Sequence, residues 1–181
     1  MLEYQASLNF MEKRVFEIIN YNKEDLIWFL NYKNMYTIGA SGSDKDILKK
    51  IDIPIIKTNR GGKITYHGPG QRIVYFLIDL KKRKKDIRKF VSIIEITSIK
   101  LLNEFNIEAT TFSDRVGIWV VGFNNKKLDK EKKIGAIGLR VKKWVTYHGL
   151  SFNLKPNLKF YENINACGLN NYSSTSMKSL G

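Results

Sequence analysis

Apolar residues recur every three or four positions in two stretches of the chain, which predicts two amphipathic helices. The second stretch covers residues 86–105 and keeps a regular apolar stripe that is interrupted only at Ser98. Each helix would bury one face against the rest of the domain. The first lies near the N-terminus and is marked by Leu8, Met11, Val15, Ile18 and Ile19.

Short apolar runs of strand length occupy much of the remaining chain. Before the long helix they predict strands at residues 25–30, 53–58, 63–66 and 73–78, and Ser43 caps a short helix that reaches Leu48. After it, strands are predicted at residues 107–111, 116–121, 133–139 and 144–150, separated by polar linkers. Four successive strands without an intervening helix imply antiparallel pairing. The pattern predicts an α+β fold with a mixed, largely antiparallel sheet and packed helices.

The length and composition are those of one compact domain. The chain has 181 residues, of which 43% are hydrophobic, so we expect a single catalytic or binding domain over residues 1–181. No apolar run approaches the roughly 20 residues of a membrane span, and Glu3 and Asn9 interrupt the start where a secretory signal would be apolar. Cys167 is the only cysteine, which excludes an internal disulfide. A cytoplasmic location is therefore predicted.

The charge is strongly basic, with 31 Lys and Arg against 17 Asp and Glu and a net charge of +14. A field of this size favours an anionic partner, which could be nucleic acid, a membrane surface or an acidic protein. The run at residues 81–85 is equally typical of a solvated surface. A nucleic-acid-binding module stays open as an alternative, although the basic residues are spread widely and no RNA- or DNA-binding signature is present.

Residues 60–71, with the sequence RGGKITYHGPGQ, carry the first candidate chemistry. Glycines let backbone N–H groups approach a ligand closely, Arg60 offers a planar set of donors, and His67 can donate or accept near neutral pH. The tetrapeptide from Thr65 to Gly68 is repeated from Thr146 to Gly149, and these two copies contain the only histidines of the chain. The two copies could therefore bring matching loops to one site. A metal site made by His67, His148 and Cys167 lacks the usual ligand spacing.

Cys167 lies in the polar segment INACGLNNYSSTSM, where a core-filling cysteine would be unusual. An ordinary thiol with a pKa near 8.5 is only about 3% thiolate at pH 7, so a nucleophilic role requires an activating neighbour such as an ammonium group. Lys133 begins the segment KIGAIGLR and leads into a glycine-rich strand. The residues alone favour an ordinary strand-edge lysine at this position over a functional one.

Taken together, RGGKITYHGPGQ, KIGAIGLR, WVTYHGLSFNL and ACGLNNYSSTSM resemble, in this order and spacing, the signature segments of the lipoyl/octanoyl transferase family. The resemblance runs from about Tyr36 to Met177 and implies a biotin/lipoate ligase-like catalytic domain, with the site across the mouth of the sheet. One departure is Ala166, where the family commonly has proline before the cysteine.

The resemblance also implies an acyltransferase activity. Such an enzyme takes the octanoyl group from octanoyl-acyl carrier protein and places it on a specific lysine of a lipoyl domain, the first step of endogenous lipoate biosynthesis and protein lipoylation. The acceptors would be lipoyl domains of 2-oxoacid dehydrogenase acyltransferase subunits and the glycine cleavage H protein. No cofactor, no ATP, no nucleic acid and no membrane are expected to take part. The nearest rival is an ATP-dependent lipoate or biotin ligase, which needs no nucleophilic cysteine.

Carried over by position, the resemblance assigns the catalytic roles to Cys167 and Lys133. Cys167 would form the acyl-thioester, and Lys133 would lower the pKa of that thiol and act as acid and base. Three stretches would bind the octanoyl substrate. They consist of Arg60, Gly61, Gly62, Lys63, Ile64, Thr65, Tyr66 and His67, then Ala136, Ile137 and Gly138, and finally Gly149, Leu150 and Ser151.

Overall fold

The computed structural model describes residues 3–166 and 172–181. Its helices and strands alternate irregularly along the chain, with short 3-10 turns at Asp44–Asp46, Leu80–Arg83 and Leu158–Asn163. The elements are α1 (Tyr4–Tyr21), β1 (Leu26–Leu30), β2 (Met35–Ile38), β3 (Ile55–Lys57), β4 (Ile64–His67), β5 (Gln71–Leu77), α2 (Ile87–Asn103), β6 (Ile107–Phe112), β7 (Arg115–Phe123), β8 (Lys126–Lys142), β9 (Val145–Asn153) and the single turn α3 (Met177–Leu180).

Two sheets form the framework. The larger is antiparallel throughout, with six strands in the order β1-β5-β9-β8-β7-β6. The smaller has the order β3-β2-β4, and β2 runs parallel to β3 and antiparallel to β4. The predicted α+β fold is confirmed, and among the strands named here the parallel pairing that makes it mixed is that of β2 with β3. The predicted succession of four antiparallel strands is also confirmed as β6 to β9.

Tight turns join the last strands of this succession. Asn124 and Asn125 connect β7 to β8 with φ values of 48° and 61°, and Lys143 and Trp144 connect β8 to β9 with φ values of 47° and 68°. Positive φ at both central residues is the conformation of two-residue turns that match the twist of the flanking strands. Asparagine tolerates this conformation better than most residues, which explains its use in the first turn.

The structure corrects some of the predicted elements. β2 was not predicted, and β8 begins at Lys126, so that residues 126–132 belong to a strand and not to a polar linker. The helix capped by Ser43 is a single 3-10 turn that ends at Asp46, short of Leu48. Both amphipathic helices are confirmed as α1 and α2, and the Asp86 carboxylate caps α2 by accepting a hydrogen bond from the Lys89 N–H.

The two long helices cover opposite faces of the large sheet. On one face, Met11, Val15 and Ile18 of α1 pack with Ile73 and Tyr75 of β5. On the other, α2 packs with residues that alternate with these along the same strands, namely Val74, Leu150 and Phe152. Because successive side chains of a strand point to opposite faces of the sheet, each strand presents one set of side chains to α1 and the other to α2. No helix in the described part of the chain has the length and apolarity that a membrane span requires.

Candidate active site

A cavity of about 300 Å³ lies on the α1 face of the large sheet. Its floor is made by two rows of paired residues that cross β5, β9 and β8. One row is Ile73, Ser151 and Ala136, and the other is Tyr75, Gly149 and Gly138. The small residues Ser151, Ala136 and Gly138 keep the floor open and create a trough across the sheet. A Cβ at Gly149 would instead meet the Val74 carbonyl of β5, so this glycine permits the close pairing of β5 with β9.

The loop at residues 60–62 closes this trough over β8. The Gly61 N–H donates to the Leu139 carbonyl at 3.2 Å, and a Cβ at Gly138 would lie only 2.8 Å from the Gly61 carbonyl oxygen. Arg60 anchors the loop to β2, because its guanidinium donates to the Thr37 carbonyl at 2.6 Å and to the Thr37 hydroxyl at 2.9 Å. It also donates to the Gly61 carbonyl at 2.9 Å. The planar donor set of Arg60 thus binds the protein's own backbone while its side chain borders the cavity.

Among the predicted substrate-binding residues, Tyr66 is the one that does not line the cavity. Its ring stacks on Phe160 with 4.7 Å between centroids, and its hydroxyl donates to the Asn34 side-chain oxygen at 2.8 Å. The other predicted substrate-binding residues all border the cavity. Their binding of an acyl chain remains a prediction.

Both histidines line this same cavity, from strands and not from loops. Burial, reinforced by the nearby Arg60 cation, lowers the pKa of His67 and of His148 to about 3. Both imidazoles are therefore neutral near pH 7. Nε2 of His148 lies 2.9 Å from the Asn59 side-chain oxygen, which fixes the proton on that nitrogen because an amide oxygen only accepts. His148 has a φ of 58° within β9.

Lys133 reaches the cavity because β8 contains a bulge. Ile118 of β7 pairs with Gly135, whereas the next residue, Trp119, pairs with Lys133, so Ile134 is an extra residue in β8. Ile134 packs in the α2-side core, and Lys133 emerges on the cavity side together with Trp119. Without the bulge, regular alternation from Gly135 would have turned Ile134 toward the cavity and Lys133 toward the α2-side core.

The ammonium of Lys133 is held close to β7. Its Nζ donates to the Val116 carbonyl at 2.8 Å and lies 5.2 Å from the centroid of the Trp119 ring. Lys133 is only 9% exposed. The structure thus places this lysine as a buried cation at the wall of the cavity.

Cys167 lies outside the described residues, but the segments on both sides of residues 167–171 lie near Lys133 of β8. On one side, Ala166 lines a narrow space together with Lys133 and Ser174. On the other side, the Lys133 N–H donates to the Ser173 carbonyl at 2.9 Å, and the Thr175 N–H donates to the Lys133 carbonyl at 2.8 Å. Ser173 and Thr175 are therefore fixed to β8 at Lys133, and Ala166 borders the same small space.

Sequence reasoning missed the wall of the cavity near β7. Asp114, Arg115 and Val116 line this wall, and Ile73 and Tyr75 of β5, also missed, belong to the floor. The Arg115 guanidinium carbon lies 3.8 Å from the Phe112 ring centroid and 4.5 Å from that of Tyr172, and Arg115 is ion-paired with Glu131. No local motif marks these residues, because only the sheet register brings them together. The described residues contain no group of three or more His, Cys, Asp or Glu that could hold a metal ion.

Comparisons with known proteins agree on one family. The family described as the lipoyl protein ligase A/B catalytic domain matches residues 3–181. An octanoyltransferase of Wolbachia pipientis is 47% identical over 180 residues, covering 99% of this chain and 85% of the relative. An octanoyltransferase of Bartonella henselae is 43% identical over 185 residues, covering 100% of this chain and 76% of the relative.

Solved structures share the fold at low sequence identity. A lipoate-protein ligase A bound with ATP superposes with a TM-score of 0.65 at 13% identity, covering 93% of this chain and 70% of that one. A bi-partite lipoate protein ligase from Thermoplasma acidophilum gives a TM-score of 0.58 at 14% identity, covering 85% of this chain and 60% of that one. The predicted ligase-like catalytic fold is thereby confirmed.

Proposed function

This chain belongs to the lipoyl protein ligase A/B catalytic-domain family, within its octanoyltransferases, and from that premise we propose a specific reaction for it. It is an acyltransferase that moves octanoyl groups in protein lipoylation. We propose that the donor is octanoyl-acyl carrier protein, that the acyl group passes through a thioester on Cys167, and that the acceptor is a lysine of a lipoyl domain.

One observation carries the proposed mechanism: Ser173 and Thr175, which follow residues 167–171, are hydrogen-bonded to the Lys133 backbone, and Ala166, which precedes those residues, borders the same small space as Lys133. The cation borders the cavity, so a thiolate formed beside it would lie at the same wall. An ammonium close to a thiol lowers the pKa of that thiol by stabilising the thiolate. This arrangement supports Cys167 as nucleophile and Lys133 as its activator.

The cavity suits an acyl chain of moderate length. Its volume of about 300 Å³ lies at the small end of ligand pockets, and most of its lining is apolar. Burying the six methylenes of an octanoyl chain would contribute about 5 kcal/mol, at roughly 0.8 kcal/mol for each methylene. The chain would lie along the trough formed over Ala136, Gly138, Gly149 and Ser151.

The proposed reaction has two transfers. The Cys167 thiolate attacks the carbonyl carbon of the octanoyl thioester, the bond to the carrier sulfur breaks, and Lys133 donates a proton to the departing thiolate. The neutral amine of the acceptor lysine then attacks the enzyme thioester. Cys167 leaves as a thiolate, Lys133 takes up the proton that the attacking amine loses, and an amide remains. Because a thioester is exchanged for a thioester and then for a more stable amide, the sequence of steps requires no ATP.

The net charge of +14 supports the choice of an acidic donor. A cationic surface raises the rate of encounter with a strongly anionic protein, and acyl carrier proteins as a class are anionic. The same surface would orient the carrier before its acyl chain enters the cavity.

Intact-mass measurement tests the reaction class. Incubation of the protein with octanoyl-acyl carrier protein, without ATP, should add one octanoyl group to the wild-type chain and none to Cys167→Ser. Addition of a lipoyl domain should then discharge the adduct and octanoylate the acceptor lysine. A Cys167→Ser variant that retained full octanoylation in the presence of octanoate and ATP would identify an ATP-dependent ligase and contradict the proposal.

Two substitutions separate the proposed roles of the lysine. Lys133→Met keeps much of the bulk but removes the cation, so the pKa of the Cys167 thiol, followed by alkylation rate against pH, should rise toward its ordinary value. Lys133→Arg keeps the cation and part of the thiolate, but turnover should still fall severely because arginine does not readily exchange a proton. If Lys133→Met left the alkylation profile unchanged, another base would have to be sought, and His148 would be the first candidate.

A further inference from the structure

Gly117 of β7 takes no part in the proposed reaction, yet it lies against the side chain of Lys133. We propose that Gly117 is a positioning residue: its missing side chain leaves the slot through which Lys133 extends, so that the carbonyl of the adjoining peptide can hold the ammonium at one point of the cavity wall. This inference rests on the proposed role of Lys133. It adds a residue on which that role depends.

The first observation is the close approach of the lysine side chain. A Cβ placed on Gly117 would lie 2.4 Å from Cε of Lys133, 2.7 Å from the Gly135 carbonyl oxygen and 2.9 Å from the Lys133 Nζ. An ordinary van der Waals contact begins at 3.4 Å, so any side chain at Gly117 would force Cε to move by about 1 Å. The end of the lysine therefore lies directly over the Gly117 Cα.

The second observation is the hydrogen bond that fixes the end of the lysine. The acceptor of the bond from Nζ is the carbonyl of Val116, which belongs to the peptide that joins Val116 to Gly117. The Val116 side chain is 56% exposed and takes no part in this bond. Consequently the backbone conformation at Gly117, where φ is 138°, determines where the acceptor points. Side chains other than glycine rarely adopt a φ in this range.

The third observation is the wall on the other side of the slot. The Trp119 ring lies two residues further along β7, with its centroid 5.2 Å from Nζ, and the bulge in β8 turns Lys133 toward it. A lysine has about 2 kcal/mol of rotamer entropy to lose on being fixed. Confinement between the Gly117 peptide and an aromatic ring removes that freedom during folding, before any substrate binds.

Positioning of this kind has a direct consequence for rate. Proton transfer requires the amine to lie within hydrogen-bond reach of the reacting sulfur or nitrogen, and a 1 Å displacement of a catalytic group can cost about 100-fold in rate. A side chain at position 117 should therefore impair the enzyme through Lys133, even though no substrate contact is lost.

The test compares Gly117→Ala with Gly122→Ala. Gly122 lies on the same strand, and a Cβ there would meet the end of the Glu108 side chain and, at 3.1 Å, the Lys126 carbonyl oxygen, neither of which borders the cavity. Gly117→Ala should lower the octanoyl transfer rate about 100-fold and raise the pKa of Cys167 alkylation, while Gly122→Ala should leave both near wild type. The same pair is then made in a Lys133→Ala background. There, the loss caused by Gly117→Ala should be much smaller, because the lysine side chain that it displaces is gone and only the contact with the Gly135 carbonyl oxygen remains.

The outcomes distinguish this inference from the proposed function. If Lys133→Ala kept most of its turnover, the proposed catalytic role of Lys133 would be wrong, and the positioning role of Gly117 would be wrong as well. If Lys133→Ala were inactive while Gly117→Ala stayed near wild type, or if Gly117→Ala reduced turnover equally in both backgrounds, only the positioning role would be wrong.

A second measurement needs no substitution at position 117, in case Gly117→Ala does not fold. Wild-type protein labelled with ¹⁵N at lysine Nζ and with ¹³C at valine carbonyls should show a scalar coupling across the hydrogen bond from Lys133 to Val116. Val116→Ala labelled at alanine carbonyls should retain it, because the acceptor is a backbone group. Absence of the coupling in both proteins would overturn the inference.

Discussion

The two buried histidines make the stability of this protein depend on pH in a predictable direction. The pKa of each is lowered from 6.5 to about 3 by burial, so the unfolded chain binds protons in a range where the folded protein does not. Their contribution to stability is therefore fully present above pH 6.5. It is lost progressively as the pH falls from 6.5 toward 3.

The size of the effect follows from the same values. Between pH 7.5 and 5.5, a group with an unfolded pKa of 6.5 that stays neutral in the folded protein lowers the unfolding free energy by about 1.4 kcal/mol. His67 and His148 together should therefore cost about 3 kcal/mol. The result depends little on the folded pKa, because a value of about 3 lies well below this interval. The contribution of Glu95 to the pH dependence of stability has the opposite sign, because burial raises the pKa of its carboxyl group and protonation therefore favours the folded state.

Urea unfolding at pH 7.5 and 5.5, in reducing buffer, measures this loss. His148→Asn is the informative variant, because asparagine tolerates the positive φ at this position and does not titrate. Between pH 7.5 and 5.5 the unfolding free energy of this variant should fall by only about 1.4 kcal/mol, because only His67 still titrates. This difference does not depend on the absolute stability of the variant. The reasoning fails if wild type loses less than about 1 kcal/mol, or if His148→Asn keeps the full wild-type dependence on pH.

Three further predictions concern the loop, the charge and a turn. Arg60→Lys removes the planar donor set that binds Thr37 and Gly61, so the unfolding free energy should fall by about 1 to 3 kcal/mol and the KM for donor should rise; unchanged values in both assays would refute the anchoring role. Raising the salt concentration from about 50 to 500 mM should raise the KM for octanoyl-acyl carrier protein several-fold without changing the reaction of a small octanoyl thioester, and a KM that did not respond would exclude electrostatic docking. Asn125→Gly should raise the unfolding free energy by about 0.5 to 1 kcal/mol, measured in urea, because φ at this position is 61°; a lower stability would contradict the turn geometry.

Much of the fold was readable because periodicity reflects burial directly. The stripes of α1 and α2 face the two sides of one sheet, and the apolar run of β5 lies between β1 and β9 with most of its residues buried. The segment from Lys126 to Lys132 is highly charged, a pattern that is typical of a linker. In the structure it pairs with β7 as the second strand of a hairpin. The Asn124–Asn125 pair carried a turn signal for that hairpin.

The candidate site was readable in its residues but not in its geometry. The glycine-rich loop and both histidines do border one cavity, as their motifs suggested. Three features depend on contacts between distant segments and leave no local pattern: the use of Arg60 to bind Thr37, the rotation of Tyr66 onto Phe160, and the bulge that turns Lys133 toward the cavity. Gly117 was missed for the same reason, because its importance comes from a side chain on the neighbouring strand.

The order of strands in the large sheet also bears on how the protein folds. β6 to β9 follow one another through short turns, so their contacts are local and close rapidly, whereas Tyr75 of β5 must find Gly149 after the intervening helix and three strands have been made. Because the trough of the candidate site crosses β5, β9 and β8, it does not exist until that slow, long-range pairing is complete. A partly folded chain therefore lacks the site that we propose for the octanoyl group. Under that proposal, octanoyl binding would stabilise the native state alone, by its full binding free energy.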